Sequence, residues 1–103
     1  MAPAERSSLF GLLGDPLRLR IVDLLAEEEM CTCHLIAQTG AKQTTVSHHL
    51  RVLREAGAVT ATEVGRFTWY RLDPALLGGL AADLADLTGR AGRAARTRRL
   101  PCT

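Results

Sequence analysis

The chain has 103 residues, 47% of them apolar and 4% aromatic, and a formal net charge of +2. That supports one compact domain and no membrane span, since no apolar stretch nears the roughly 20 residues that cross a bilayer. The charge is too small to mark a nucleic-acid binder unless the basic residues share a face.

The N-terminal Met-Ala-Pro-Ala-Glu-Arg lacks the basic and apolar regions of a secretory signal, so the expected location is cytoplasmic. Three cysteines, an odd number, in that reducing compartment argue against a disulfide framework and for metal binding or reactive thiols.

In chain order, Ser7 or Ser8 is expected to cap a short helix carrying Leu9, Phe10, Leu12 and Leu13, ended by a left-handed Gly14. Asp15 and Pro16 read as N-cap and first-turn proline of a second helix, with Leu17, Ile21, Leu24 and Leu25 on one stripe. Glu27 to Glu29 close it as a solvated end. A third helix is expected from about Cys31 to Thr39, with Leu35, Ile36 and Ala37 inward and Gly40 at its end. Gln43 to Ala56 form a fourth, whose buried stripe is Val46, Leu50 and Leu53. Lys42 is a poor cap, so Thr44 is an alternative start. Two short helices about a tight glycine turn make a helix-turn-helix.

Ala58 to Glu63 and Phe67 to Leu72 are rich in β-formers around Gly65-Arg66, which predicts a β-hairpin wing. Asp73-Pro74 begins a last helix, with Leu76, Leu77, Leu80, Leu84 and Leu87 on a stripe too apolar to face water. A second copy of the chain is the simplest cover. From Thr88 the composition turns to Gly, Ala and Arg and predicts a frayed basic tail. The organisation is therefore a DNA-binding and dimerisation domain over 1–87 and a tail over 88–103. The fold class is mainly α with a small β-hairpin: a dimeric winged helix-turn-helix.

A helix that enters the major groove needs short polar and basic side chains near its start, and Gln43, Thr44, Thr45, Ser47, His48 and Arg51 supply them. Gln43 and His48 suit base edges, while the three hydroxyls suit phosphate oxygens. Arg66 at the wing tip suits a minor groove or a phosphate. Each alone is as readily an ordinary surface residue; the arrangement is the signal. His49, between Val46 and Leu50 in the pattern, reads as a structural histidine at the edge of the core. The expected partner is double-stranded operator DNA.

The segments Gly14-Asp15-Pro16-Leu17-Arg18, Thr45 to Gly57 and Gly65 to Leu72 resemble the ArsR/SmtB family of metal-sensing repressors, over about Ser8 to Leu87. The resemblance implies a winged-helix homodimer, joined by its first and last helices, that represses metal-resistance genes until an inducer ion weakens DNA binding.

Met30-Cys31-Thr32-Cys33-His34-Leu35 is similar to the Cys-Val-Cys-Asp-Leu box of arsenic-sensing members. Thiolates are soft donors, so Cys31 and Cys33 suit arsenite, antimonite, cadmium, lead or zinc and not Mg or Ca. Two residues apart in a regular helix, their side chains diverge by about 200°. Joint binding then requires an unwound first turn, which suggests the switch. Small core residues or a redox pair are the competing readings. Where a third thiol would complete the box this chain has Ile36, so Cys102 is the candidate third ligand, from its own subunit or the partner's. His34 is a weaker choice for arsenite and a reasonable one for zinc or cadmium.

Asp73 to Arg99 contains no histidine, so a zinc site on the last helix is not expected, and Asp83 and Asp86 read as its solvated face. No catalytic constellation is visible, which argues against an enzyme. The function expected is a repressor of a metalloid-resistance operon released by arsenite. A cadmium or lead sensor, a thiol redox regulator and a dimerisation module without a DNA role are the alternatives.

Overall fold

The computed structural model describes residues 3–96 and 99–102. Five helices and three short strands follow as α1 (Pro3–Leu12), α2 (Pro16–Glu27), β1 (Met30–Cys31), α3 (Thr32–Thr39), α4 (Gln43–Glu55), β2 (Val59–Val64), β3 (Phe67–Leu72) and α5 (Pro74–Ala94).

The start of α2 forms as its sequence predicts. Asp15 is extended, and its Oδ1 accepts from the N–H groups of Leu17 (2.9 Å) and Arg18 (3.0 Å), with Pro16 in the first turn. Ile21, Val22, Leu24 and Leu25 are then buried. Gly40 ends α3 in the left-handed conformation (φ 70°), donating its N–H to the Ile36 carbonyl at 2.9 Å. The turn into α4 is tightened by Thr39, whose Oγ1 donates to the Leu35 carbonyl and accepts from Ala41 N–H.

Ile21, Leu35, Val46, Leu50 and Leu53 are at most 1% exposed, so α2, α3 and α4 meet in one core. Truncating any of the leucines among them to Ala costs about 2–5 kcal/mol. The fourth helix begins at Gln43 with Lys42 as its cap residue, not at Thr44.

The sheet holds one strand more than the hairpin. Its order is β1-β3-β2, all antiparallel, with Met30 opposite Tyr70 and Cys31 opposite Trp69. In the hairpin, Val64 faces Phe67 across Gly65-Arg66, and only Gly65 of that pair has positive φ (62°), the pattern of a type II′ turn.

Several expectations change. Ser7 and Ser8 lie inside α1, which begins at Pro3. Gly14 is not left-handed. It is needed for close approach, because α1 ends in short-range turns (Leu13 N–H to Phe10 O, Gly14 N–H to Gly11 O), and a Cβ on Gly14 would sit 3.2 Å from the Gly11 carbonyl oxygen. Ala37 is exposed and Ile36 half-buried, so one turn of α3 faces the core through Leu35.

The helical run of α5 passes Thr88 and continues to Ala94, giving a rod of 21 residues, about 31 Å long. Ala and Arg are strong helix formers, and Asp86 supports the extension through an ion pair with Arg90 four residues on (3.0 Å). Asp86 is exposed as expected. Asp83 is half-buried instead, its Oδ2 enclosed without a hydrogen-bond partner among the described residues.

Candidate functional site

Two sites emerge on adjoining elements. The first is the outer face of α4. Gln43, Thr44, Thr45, Ser47, His48 and Arg51 are all exposed, opposite the buried Val46, Leu50 and Leu53. Gln43, Thr44, Ser47, His48 and Arg51 line one shallow hollow of about 280 Å³, and Thr45 lies outside it. His48 Nδ1 stands 3.5 Å from an Arg51 guanidinium nitrogen. No side chain caps the start of α4, so its first N–H groups remain open to an anion such as a phosphate oxygen. Arg66 is exposed at the hairpin tip.

His49 is turned the other way, as expected of a structural residue. Its Nδ1 accepts from Arg18 Nη1 (3.2 Å) and its Nε2 lies 3.8 Å from Asp15 Oδ1, while Arg18 Nε donates to the Leu12 carbonyl (2.8 Å). The end of α1, the start of α2 and the middle of α4 are thereby tied together. The Arg18 N–H, opposed by partial burial and aided by His49, holds the Asp15 carboxyl below its ordinary range.

The second site is the thiol box. Cys31 is not helical: it ends β1 and serves as the extended N-cap of α3 (φ −81°, ψ 166°), while Cys33 lies inside the first turn. A divergence of 200° applies only within a helix, so the two sulfurs meet with no unwinding and are joined as a disulfide, Cα to Cα 5.5 Å. The geometric conflict expected of this spacing is therefore absent. Cys31 is 3% exposed and Cys33 open to solvent.

His34 completes the group. Its Nδ1 is 3.3 Å from Cys31 Sγ and accepts from Cys31 N–H at 3.4 Å. Trp69 meets the ring edge-on, centroids 5.6 Å apart. A hollow of about 240 Å³ is lined by Cys31, Cys33, His34, Phe67 and Trp69. The donor atoms of Cys31, Cys33 and His34 lie within 4.8 Å of one another, the one such group of three among the described residues. Cys102 is exposed, free and outside it.

Sequence reasoning missed β1 and the aromatic wall. A two-residue strand is too short to show periodicity, but Phe67 and Trp69 alternate along β3, which puts them on one face.

A helix-turn-helix with an exposed polar face, set beside a β-hairpin wing, is the architecture of a DNA-binding transcriptional regulator of the winged-helix class. Residues 15–61 match the family described as "Bacterial regulatory protein, arsR family". The arsenical resistance operon repressor of Staphylococcus aureus is 36% identical over 84 residues, covering 82% of this chain and 81% of that protein. The cadmium resistance regulatory protein CadC of Listeria innocua is 37% identical over 65 residues, covering 62% of this chain and 55% of that protein. A solved structure described as a possible transcriptional regulator for arsenical resistance superposes with a TM-score of 0.71 at 36% identity, covering 87% of this chain and 97% of the other. The chain belongs to the arsR family of bacterial regulatory proteins.

Proposed function

We propose that this chain is a homodimeric repressor of a metalloid-resistance operon, which holds double-stranded operator DNA through α4 and the wing and leaves it when arsenite binds Cys31 and Cys33. The observation that carries the reading is the meeting of two sulfurs at the start of α3, the helix that packs against α4. In the reduced chain they offer two soft donors to one ion, antimonite being the next candidate. Each arsenic–sulfur bond replaces an arsenic-bound hydroxyl, whose oxygen leaves as water with the thiol proton.

Release requires the ion to favour one arrangement of α3 over another, because a ligand with equal affinity for both shifts nothing. The α3–α4 contact through Leu35, Val46 and Leu50 carries that preference to the recognition face. Dimerisation through α1 and α5 covers Leu84 and Leu87, which are 52% and 45% exposed in the single chain.

The test is operator binding by fluorescence anisotropy during arsenite titration of the reduced protein. Cys31→Ser and Cys33→Ser should bind operator as the parent does and stay bound in arsenite; release of either at the parent's arsenite concentration rejects the reading. Thiolate softness alone ranks cadmium and lead with arsenite, so both belong in the same titration. The Cys31–Cys33 bond supports a second reading, release on thiol oxidation, which predicts loss of operator on disulfide formation without any ion.

A further inference from the structure

The positive charge of this chain is not where its DNA-reading elements are. All 11 acidic residues lie at or before Asp86, while five of the 13 basic ones, Arg90, Arg93, Arg96, Arg98 and Arg99, lie after it. Up to Asp86 the chain therefore sets eight basic residues against 11 acidic ones, a formal charge of −3, and the overall +2 comes from its last turns. The fold does not repair that deficit at the recognition face. Arg18 is taken up by the Leu12 carbonyl and His49, Arg20 pairs with Asp23, and Arg71 stands 4.0 Å from Glu29. Among the described side chains this leaves Lys42, Arg51, Arg54 and Arg66 for a phosphate backbone, with Glu55 and Glu63 exposed on the same two elements.

The end of the chain has the opposite character. Beyond Leu80, the one buried residue of α5, the helix runs on to Ala94 with only Asp83 half-buried. At about 100° per residue, Arg93 sits roughly 180° from Leu84 and 120° from Leu87, so a second copy covering the leucines leaves the arginine free. Arg90 is held by Asp86 at 3.0 Å. Arg93, Arg96 and Arg99 are exposed, and among the described residues no carboxylate pairs with them. The helix dipole favours a cation in the last turn, which accounts for Arg93 but not for Arg96 and Arg99 beyond it.

We propose that Arg93, Arg96 and Arg99 form a second DNA-contacting element, which binds backbone phosphates without reading sequence and supplies much of the protein's non-specific affinity. This rests on the operator-binding reading above and deepens it. A body of net negative charge is repelled by a polyanion at long range, and a cluster of unpaired guanidinium groups reverses that field and releases counterions on contact. Guanidinium forks match phosphate oxygens in pairs and carry no base information. The division of labour follows: α4 chooses the site, and the end of α5 holds the protein to DNA of any sequence.

The experiment measures anisotropy of two short duplexes, one carrying the operator and one of unrelated sequence, against salt. Wild type is compared with the triple variant Arg93→Gln, Arg96→Gln, Arg99→Gln and with the matching triple lysine variant. On the unrelated duplex the glutamine variant should lower the slope of log affinity against log salt by at least about two, the value for one lost contact per subunit of a dimer. Its affinity there should fall at least about tenfold at 0.1 M salt, while the operator-to-unrelated ratio stays the same or rises. The lysine variant should keep the parent's slope. A smaller change in the glutamine variant, or an equal loss in the lysine variant, overturns the proposal. So does a loss of binding to vesicles of equal parts phosphatidylserine and phosphatidylcholine with DNA binding unchanged, which assigns the arginines to a membrane. If wild type binds neither duplex in a salt-dependent way, the operator-binding reading itself falls and this inference with it.

Discussion

Removing the carboxylate that caps α2 should destabilise the chain by an amount that depends on pH in a definite sense. Asp15 Oδ1 holds the Leu17 and Arg18 N–H groups and sits 3.8 Å from His49 Nε2. Loss of such a cap costs about 0.5–2 kcal/mol, and the two bonds place Asp15→Ala in the upper half of that range. At about 4–8 °C per kcal/mol for a domain of this size, the melting temperature should fall by roughly 5–15 °C.

The folded carboxyl titrates below its ordinary value, chiefly because the Arg18 N–H bonds its charged form. A group whose pKa is lowered on folding stabilises fully above its unfolded pKa, about 3.9, and loses that contribution as pH falls through the lower folded value. The gap between wild type and Asp15→Ala should therefore be complete at pH 7 and close in acid. Asp15→Asn keeps a capping oxygen without the charge and should lose less at pH 7. Circular dichroism melts at fixed protein concentration, from neutral pH to about 2.5, measure both. A gap that stays constant into acid refutes the electrostatic part, and no gap at pH 7 refutes the cap.

His48→Ala should weaken operator binding by about 1–3 kcal/mol if it touches a base edge, and Ser47→Ala should weaken it evenly across sequences as a phosphate contact does, both read by anisotropy with the dimer unchanged. Arg66→Ala should lower the slope of log affinity against log salt by about one, the mark of a lost phosphate contact. Leu80 is buried within its own subunit at 3% exposure, so the clean interface probe is Leu84→Asp. Sedimentation should find that variant folded and monomeric; a dimer places the interface elsewhere. Cys102 lies outside the three-donor group in the single chain, so Cys102→Ser should leave arsenite affinity unchanged in a thiolate-absorption titration of the reduced protein, and a loss would make the tail cysteine a ligand.

Much of the architecture is legible in the residues because its signals are periodic. Val46, Leu50 and Leu53 mark the inner face of α4, and once that face is assigned, Ser47, His48 and Arg51 must point outward. Asp15-Pro16 and Asp73-Pro74 mark two helix starts through local capping chemistry. What is not legible depends on contacts between distant segments. Strand β1 exists only because Met30 and Cys31 find Tyr70 and Trp69 some forty residues on, and no local pattern in Glu29-Met30-Cys31 announces it. The same omission hides the geometry of the thiol box, since a helical Cys31 would hold its sulfur away from Cys33. Gly14 misleads for the opposite reason: glycine after a helix suggests a left-handed cap, but here it admits a backbone carbonyl.

Cys31 belongs to two elements at once, the last rung of β1 and the N-cap of α3. Its partner across the ladder, Trp69, is three positions from Arg66 along the wing, while α3 leads by its packing into α4. One sulfur thus sits at the vertex between the two arms that would grip a DNA half-site. An inducer bound there, as proposed, would have no need to melt either arm. On the proposed reading, a change in the angle between them would be enough to put the wing out of step with the groove that α4 reads, so the tolerance of the grip to rotation, and not its strength, would set how little ligand movement releases the operator.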